Sequence, residues 1–258
     1  MANVIPDAWM PNADMERIHL HWTAGGHSAN ATDKKSYHIL VEGNGNLVRG
    51  NHSIERNAPP PRSPRASHTK NANTGAIGVS LCCMRSARER PFNAGPSPMT
   101  ETQWNKGLQV IAELAERYNI LVTPTTILTH AEVEPNLRIS QNNKWDIVRL
   151  AFDDRFRGPS GVGNEMRARV AALIGGAGPD GDGDDDGKMP DDARLPRFRV
   201  TDVAPSQLNF RRSPGGEKIG SLPERTVVER IGVHGEWWQV RTRLGYVGFV
   251  HSGFLSPV

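Results

Sequence analysis

The 258-residue chain has no long apolar run. Nothing in it approaches the roughly 20 residues that a membrane-spanning helix requires, so membrane insertion is not expected. The stretch from Met1 to Arg17 is polar and carries Asp7, Asp14 and Glu16. It shows neither the basic nor the apolar segment of a signal peptide. The expectation is synthesis in a cytoplasm, with any outside substrate reached by another route. Cysteine is scarce: Cys82 and Cys83 are the two present, and they are adjacent. Neighbours on a strand point to opposite faces, which argues against a disulfide between them. They also lack the paired spacing of a structural zinc site. Plain burial within a strand is the expected role. Tight metal motifs of the H-E-x-x-H type are absent too.

The net charge of +3 is small, but it is unevenly spread. Residues 1–174 carry 20 Lys and Arg against 16 Asp and Glu; residues 175–194 carry 2 against 7; residues 195–258 carry 9 against 5. Two basic bodies flank an acidic connector. Basic surfaces favour polyanionic partners such as nucleic acid, membrane surfaces or anionic wall polymers, and charge alone does not choose among them.

The acidic stretch from Gly175 to Gly187 is rich in Gly and Asp and has no large apolar residue, which is the composition of a linker. Asp182-x-Asp184-x-Asp186-Gly187 matches the opening of a calcium loop. Position twelve falls on Ala193, where a bidentate Glu is needed, so calcium is not expected. Ahead of the linker, Arg17 to Trp22, Ser36 to Val41, Ala76 to Met84 and Ile127 to Thr129 read as strands. Gly43-Asn-Gly-Asn46 marks a hairpin turn. Thr100 and Gln103 form a capping box before a helical repeat of Trp104, Leu108, Ile111, Ala115 and Tyr118. Strands interleaved with helices predict an α/β domain. After the linker, short strand-like pieces near 208–210, 226–231, 237–241 and 246–250 predict a small all-β barrel.

Nine histidines are present. His19 and His21 share one face of a strand. His130 ends another, and Asp146 follows a loop. Two imidazoles and a carboxylate form a common catalytic zinc set, although spacing alone leaves this open.

The blocks Ile18-His-Leu-His-Trp-Thr-Ala-Gly25, Ser36-Tyr-His-Ile-Leu-Val41, Ser67-His68 with Asn73 to Ser80, Thr129-His-Ala-Glu-Val-Glu-Pro135 and Asn143-Lys-Trp-Asp146 resemble, in order, those of the type-2 N-acetylmuramoyl-L-alanine amidases. That family includes phage amidase lysozymes and peptidoglycan recognition proteins. The resemblance covers roughly residues 15–150. It implies a central mixed sheet flanked by helices, Zn2+ held by His21, His130 and Asp146, and catalytic roles for Tyr37 and Lys144. It also implies cleft positions for His68 and Asn73. Relatives with Glu at the position of Ser80 use it as an acid/base, so Tyr37 is expected to serve alone here. Of the remaining groups, His19 is expected behind His21 and His38 in a structural role, while Glu132 is either a partner behind the ligands or, the favoured reading, at the surface. His27, His52, His234 and His251 are expected in exposed loops. The 136–143 loop either shapes the cleft or is plain surface.

Ser206-Gln-Leu-Asn-Phe-Arg-Arg-Ser-Pro214, Ile219 to Leu222, Trp237-Trp-Gln-Val240, Tyr246-Val-Gly-Phe249 and Phe254-Leu255 resemble a bacterial SH3-like domain. Such modules bind peptidoglycan stems or bridges. The expected organisation is a zinc amidase domain at 1–174, an acidic linker at 175–194 and an SH3-like wall-binding domain at 195–258. The expected partner is peptidoglycan, not nucleic acid. The alternatives are a peptidoglycan-recognition protein without catalysis and a cytoplasmic amidase recycling soluble muropeptides, the latter disfavoured by the appended barrel. Trp237 and Trp238 should face opposite sides of a strand. The oligomeric state is not readable.

Overall fold

The computed structural model describes residues 3–174, 195–204, 206–216, 218–242 and 247–258. The acidic stretch with its calcium-like segment, and Tyr246, lie outside the described residues. Contacts divide the chain into two compact units, Met1–Ile174 and Gly175–Val258.

The first unit is built on five strands: β1 (Arg17–Trp22), β2 (Ile39–Val41), β3 (Leu47–Arg49), β4 (Ala76–Leu81) and β5 (Ile127–Thr129). Their order is β3-β2-β4-β1-β5. β2, β4, β1 and β5 run parallel, and β3 pairs antiparallel with β2 across the Gly43 to Asn46 turn. The sheet is therefore mixed. β1 has a neighbour on each side, and five of its six residues are buried, as a strand covered on both faces must be. His19 and His21 thus point into protein rather than into water.

Four helices flank this sheet: α1 (Ala31–Ser36), α2 (Glu101–Arg117), α3 (His130–Leu137) and α4 (Gly158–Ile174). The strand expected over Ser36 to Val41 is shorter than its apolar pattern suggested. Asn30 caps α1 by accepting from Thr32 N and Asp33 N, and Asp33 returns the bond to Asn30 N. This capping box spends the residues up to Ser36 on a helix. Tyr37 ends the helix in extended backbone, and β2 begins only at Ile39. The capping box at Thr100 and Gln103 forms as expected. Gln103, fully buried, further donates to Val41 O and Cys82 O, tying α2 to the sheet. The strand expected over Ala76 to Met84 ends at Leu81, so Cys82 and Cys83 are buried free thiols just past β4 and not within it. α4, and the short pair β6 (Arg149–Leu150) and β7 (Asp153–Arg157), carry no strong periodic pattern and were not anticipated.

The second unit is an all-antiparallel sheet. Its strands are β8 (Arg197–Val200), β9 (Leu208–Arg211), β10 (Lys218–Leu222), β11 (Val227–His234), β12 (Trp237–Thr242), β13 (Val247–His251) and β14 (Leu255–Pro257). They are ordered β10-β9-β13-β12-β11-β8-β14. Val200, Leu208, Phe210, Val228, Val240 and Val250 form its core. Trp238 packs on that core beside Phe198, at 4.5 Å between ring centroids. Trp237 turns the other way, under the Arg211 guanidinium (5.7 Å) and edge-on to His251 (5.5 Å). Together with Phe254 these line a groove of about 400 Å³. His234 and His251 end strands rather than occupying loops.

Candidate active site

His21 is the penultimate residue of β1. His130 is the first residue of α3, immediately after β5. Asp146 lies in the loop that follows α3. The parallel pairing of β1 with β5 brings the first two together across 109 residues of chain. His21 Nδ1 lies 3.0 Å from His130 Nδ1 and 3.2 Å from Asp146 Oδ2, and His130 Nδ1 lies 3.0 Å from the same oxygen. All three residues are buried.

Three donor atoms so close, with two nitrogens facing one carboxylate oxygen, leave lone pairs opposed unless a cation or protons sit among them. A tetrahedral metal with bonds of about 2.0–2.1 Å spaces its ligands about 3.3 Å apart, close to this triangle. Protonation states agree with that use. Burial, then the neighbouring His130, lower the His21 imidazole to about 4. Burial alone would raise Asp146, but its close contacts with His130 and His21 outweigh it and hold the carboxyl at about 2. Near neutral pH the site therefore offers a neutral imidazole and an ionised carboxylate, the forms that bind metals.

A second trio, His19, His21 and His68, also lies close together. Its centre is filled by the Thr69 hydroxyl, which is 2.9 Å from His19 Nδ1, 2.9 Å from His68 Nδ1 and 3.3 Å from His21 Nε2. This cluster supports His21 from behind. His19 holds that position, as the sequence suggested. The His68 ring lies flat against Gly78, where an added Cβ would come within 2.5 Å of it. Asn73 is not among the cleft residues. Its amide oxygen accepts from His68 N and Thr69 N, both at 2.9 Å, and so shapes the segment that carries them.

In front of the triangle opens a cleft of about 630 Å³, with Tyr37, Lys144, His68, Trp145 and Lys70 on its walls. The Tyr37 ring lies 5.2 Å from that of His21. Burial first, then the charge of Asp146, push its phenol well above the usual value, while the Ser80 hydroxyl opposes the shift. Tyr37 is thus a hydrogen-bond donor at any ordinary pH. Among the described residues lining the cleft, Asp146 is the one carboxylate. Ser80 is fully buried and pairs with His21 across β1 and β4.

Glu132 corrects an expectation. It is 1% exposed, not at the surface. Its carboxylate accepts two bonds from Arg167 of α4 (2.8 and 2.9 Å) and one from Thr129 N (3.0 Å). Arg167 also donates to Ile127 O on β5. α4 is thereby locked to the junction that presents His130. Gly163 makes room for this pair, since a Cβ there would stand 2.1 Å from the Glu132 carboxylate. Gln141 was not singled out either. It comes from the loop that the sequence left open between cleft and surface, and its Oε1 lies 3.0 Å from His130 Nε2. A neutral amide eleven residues from its partner leaves no motif.

Residues 11–147 match the family of N-acetylmuramoyl-L-alanine amidases, and residues 206–256 match the bacterial SH3 domain. Among solved structures, the chain is similar to the Ph2119 endolysin from Thermus scotoductus MAT2119 bacteriophage Ph2119. Identity is 14% over 61% of this chain and 88% of that chain, with a TM-score of 0.36. It is also similar to the N-acetylmuramyl-L-alanine amidase AmiD from E. coli, in complex with anhydro-N-acetylmuramic acid-L-Ala-D-gamma-Glu-L-Lys. There identity is 17% over 47% of this chain and 50% of that chain, with a TM-score of 0.32. No curated protein sequence matches. With the family matched over more than half of its length, the chain belongs to the N-acetylmuramoyl-L-alanine amidases and carries a bacterial SH3 domain behind the enzyme.

Proposed function

We propose that this enzyme performs zinc-dependent hydrolysis of the amide bond joining N-acetylmuramic acid to L-alanine in peptidoglycan, as a wall-degrading lysin of the phage type. The observation that carries the reading is the triangle of His21 Nδ1, His130 Nδ1 and Asp146 Oδ2, of which His130 and Asp146 line an open cleft. Two imidazoles and one carboxylate, with a side left open, suit zinc better than magnesium or calcium, which prefer all-oxygen shells. When bound, zinc supplies Lewis acidity at the scissile carbonyl and a means of ionising water near pH 7.

The chain's own groups do the rest. Tyr37 keeps its proton and donates a hydrogen bond where negative charge develops on the carbonyl oxygen. Lys144, on the cleft wall two residues before Asp146, adds positive charge on that side. Trp145 stacks edge-on to Trp22 at 4.8 Å and walls the cleft with apolar surface. The SH3 unit is the proposed wall anchor, its groove of Trp237, Arg211, His251 and Phe254 being the candidate contact. A tethered anchor raises the enzyme's effective concentration at an insoluble substrate.

Digestion of purified peptidoglycan with and without a chelator tests this reading. The expected products are new L-alanine amino termini, sensitive to chelator and restored by zinc, without new reducing sugars. A protein that sediments with the wall yet frees no amino termini would instead be a recognition protein.

A further inference from the structure

We infer that Gln141 is a positioning residue for the metal site: its side-chain carbonyl sets which nitrogen of His130 faces the other two ligands. The inference rests on the metal reading proposed above. A neutral imidazole carries one N–H, on either ring nitrogen. A His130 with its proton on Nδ1 would turn a hydrogen, not a lone pair, toward His21 and Asp146.

The orientation of Gln141 decides between the two. Its Nε2 lies 2.9 Å from Lys70 O and 3.1 Å from Ile139 O. Both are carbonyl oxygens, which only accept, so the NH2 end of the amide must face them. That turns Oε1 to His130 Nε2 at 3.0 Å. An amide oxygen cannot donate, so His130 Nε2 must carry the hydrogen and Nδ1 is left bare. Gln141 is buried, and its own N–H donates to Glu134 of α3 (2.8 Å), folding the loop back onto the helix that His130 begins.

The same support reaches the other histidine. Lys70, which anchors the Gln141 amide, follows His68 and Thr69, whose side chains lie 3.3 Å from His21 Nε2. One short segment, shaped by Asn73, thus stands behind both imidazoles. Partners of this kind typically change metal affinity by about 10–100-fold.

Zinc affinity of the full chain, measured by competition with a chromophoric chelator, provides the test. Gln141→Met keeps the volume and removes the acceptor; Gln141→Glu restores an acceptor oxygen. Gln141→Met is expected to bind zinc about 10–100-fold more weakly, with an unchanged circular dichroism spectrum, and Gln141→Glu to recover most of the loss. Long-range 1H–15N NMR of the metal-free wild type should show His130 protonated on Nε2, a readout independent of how either variant folds. Equal zinc affinity in wild type and Gln141→Met, no recovery in Gln141→Glu, or a His130 protonated on Nδ1 would each overturn the inference. A wild type that binds no zinc would instead overturn the metal reading beneath it.

Discussion

Tyr37 shows how burial assigns a role to a single residue. A phenol pushed above its usual value beside an ionised Asp146 cannot serve as a base near neutrality, and in the proposed reaction its part is to donate a hydrogen bond. Tyr37→Phe removes that donor while leaving the ring to fill its place. It is expected to lower kcat by about 10²–10³-fold with zinc affinity nearly unchanged, measured as amino termini released from purified peptidoglycan and as chelator competition on the same preparation. A variant as active as the wild type would remove Tyr37 from the chemistry. At this scale the sequence was uneven as a guide. That His21, His130, Asp146, Tyr37 and Lys144 gather around one cleft was legible because they sit in ordered blocks of a known pattern. Thr69 and Gln141 were not, because a hydroxyl and an amide act here only through contacts made after folding. Asn73 belonged to a readable block, yet its amide oxygen serves the backbone of its own segment.

Among the elements, α4 was the least legible and carries much of the positioning. Its pattern opens with Gly158-Pro-Ser-Gly-Val-Gly163, which has little helical propensity, and tertiary packing overrides that. What fixes it is Arg167, 2% exposed and bonded to Glu132, Ile127 O and Asn164. Removing one member of a buried ion pair leaves the other charge uncompensated, which costs about 3–5 kcal/mol. Arg167→Met is therefore expected to destabilise the amidase unit by that amount in urea unfolding, whereas joint replacement with Glu132→Gln should cost less than Arg167→Met alone. A single variant unfolding at the wild-type midpoint would contradict the assignment. β1, β4 and α2 were readable because period and capping agreed with their final surroundings. The Ser36 to Val41 run was misread because the Asn30 capping box lies outside its apolar pattern.

For the whole molecule, the buried histidines make stability depend on acidity. Burial is the largest cause in each case: His21 and His38 are lowered to about 4, and His19 and His68 well below the usual value. The unfolded chain protonates such groups near 6.5, so below that pH it takes up protons that the native state refuses. Each such group removes up to about 1.4 kcal/mol per pH unit as acidity rises from about pH 6.5 toward 4. The Asp146 contribution, with its carboxyl at about 2, stays intact across this window, because it is lost only as pH falls below about 3.9. The metal-free protein in chelator should therefore show a urea midpoint that falls between about pH 7 and 4.5 more steeply than one histidine allows. A flat midpoint would mean that these rings are protonated in place. The two-part organisation was legible from composition, whereas the part that residues 148–174 play in the first unit was not. The stretch matching the amidase family stops at 147, but the compact unit runs to Ile174, and Arg167 lies in the difference. Anyone exchanging catalytic cassettes between lysins would meet this as a question of where to cut. A cassette ended at 147 transplants Glu132 without its counter-ion, and with it a loosened seat for His130; one ended at 174 keeps the pair together.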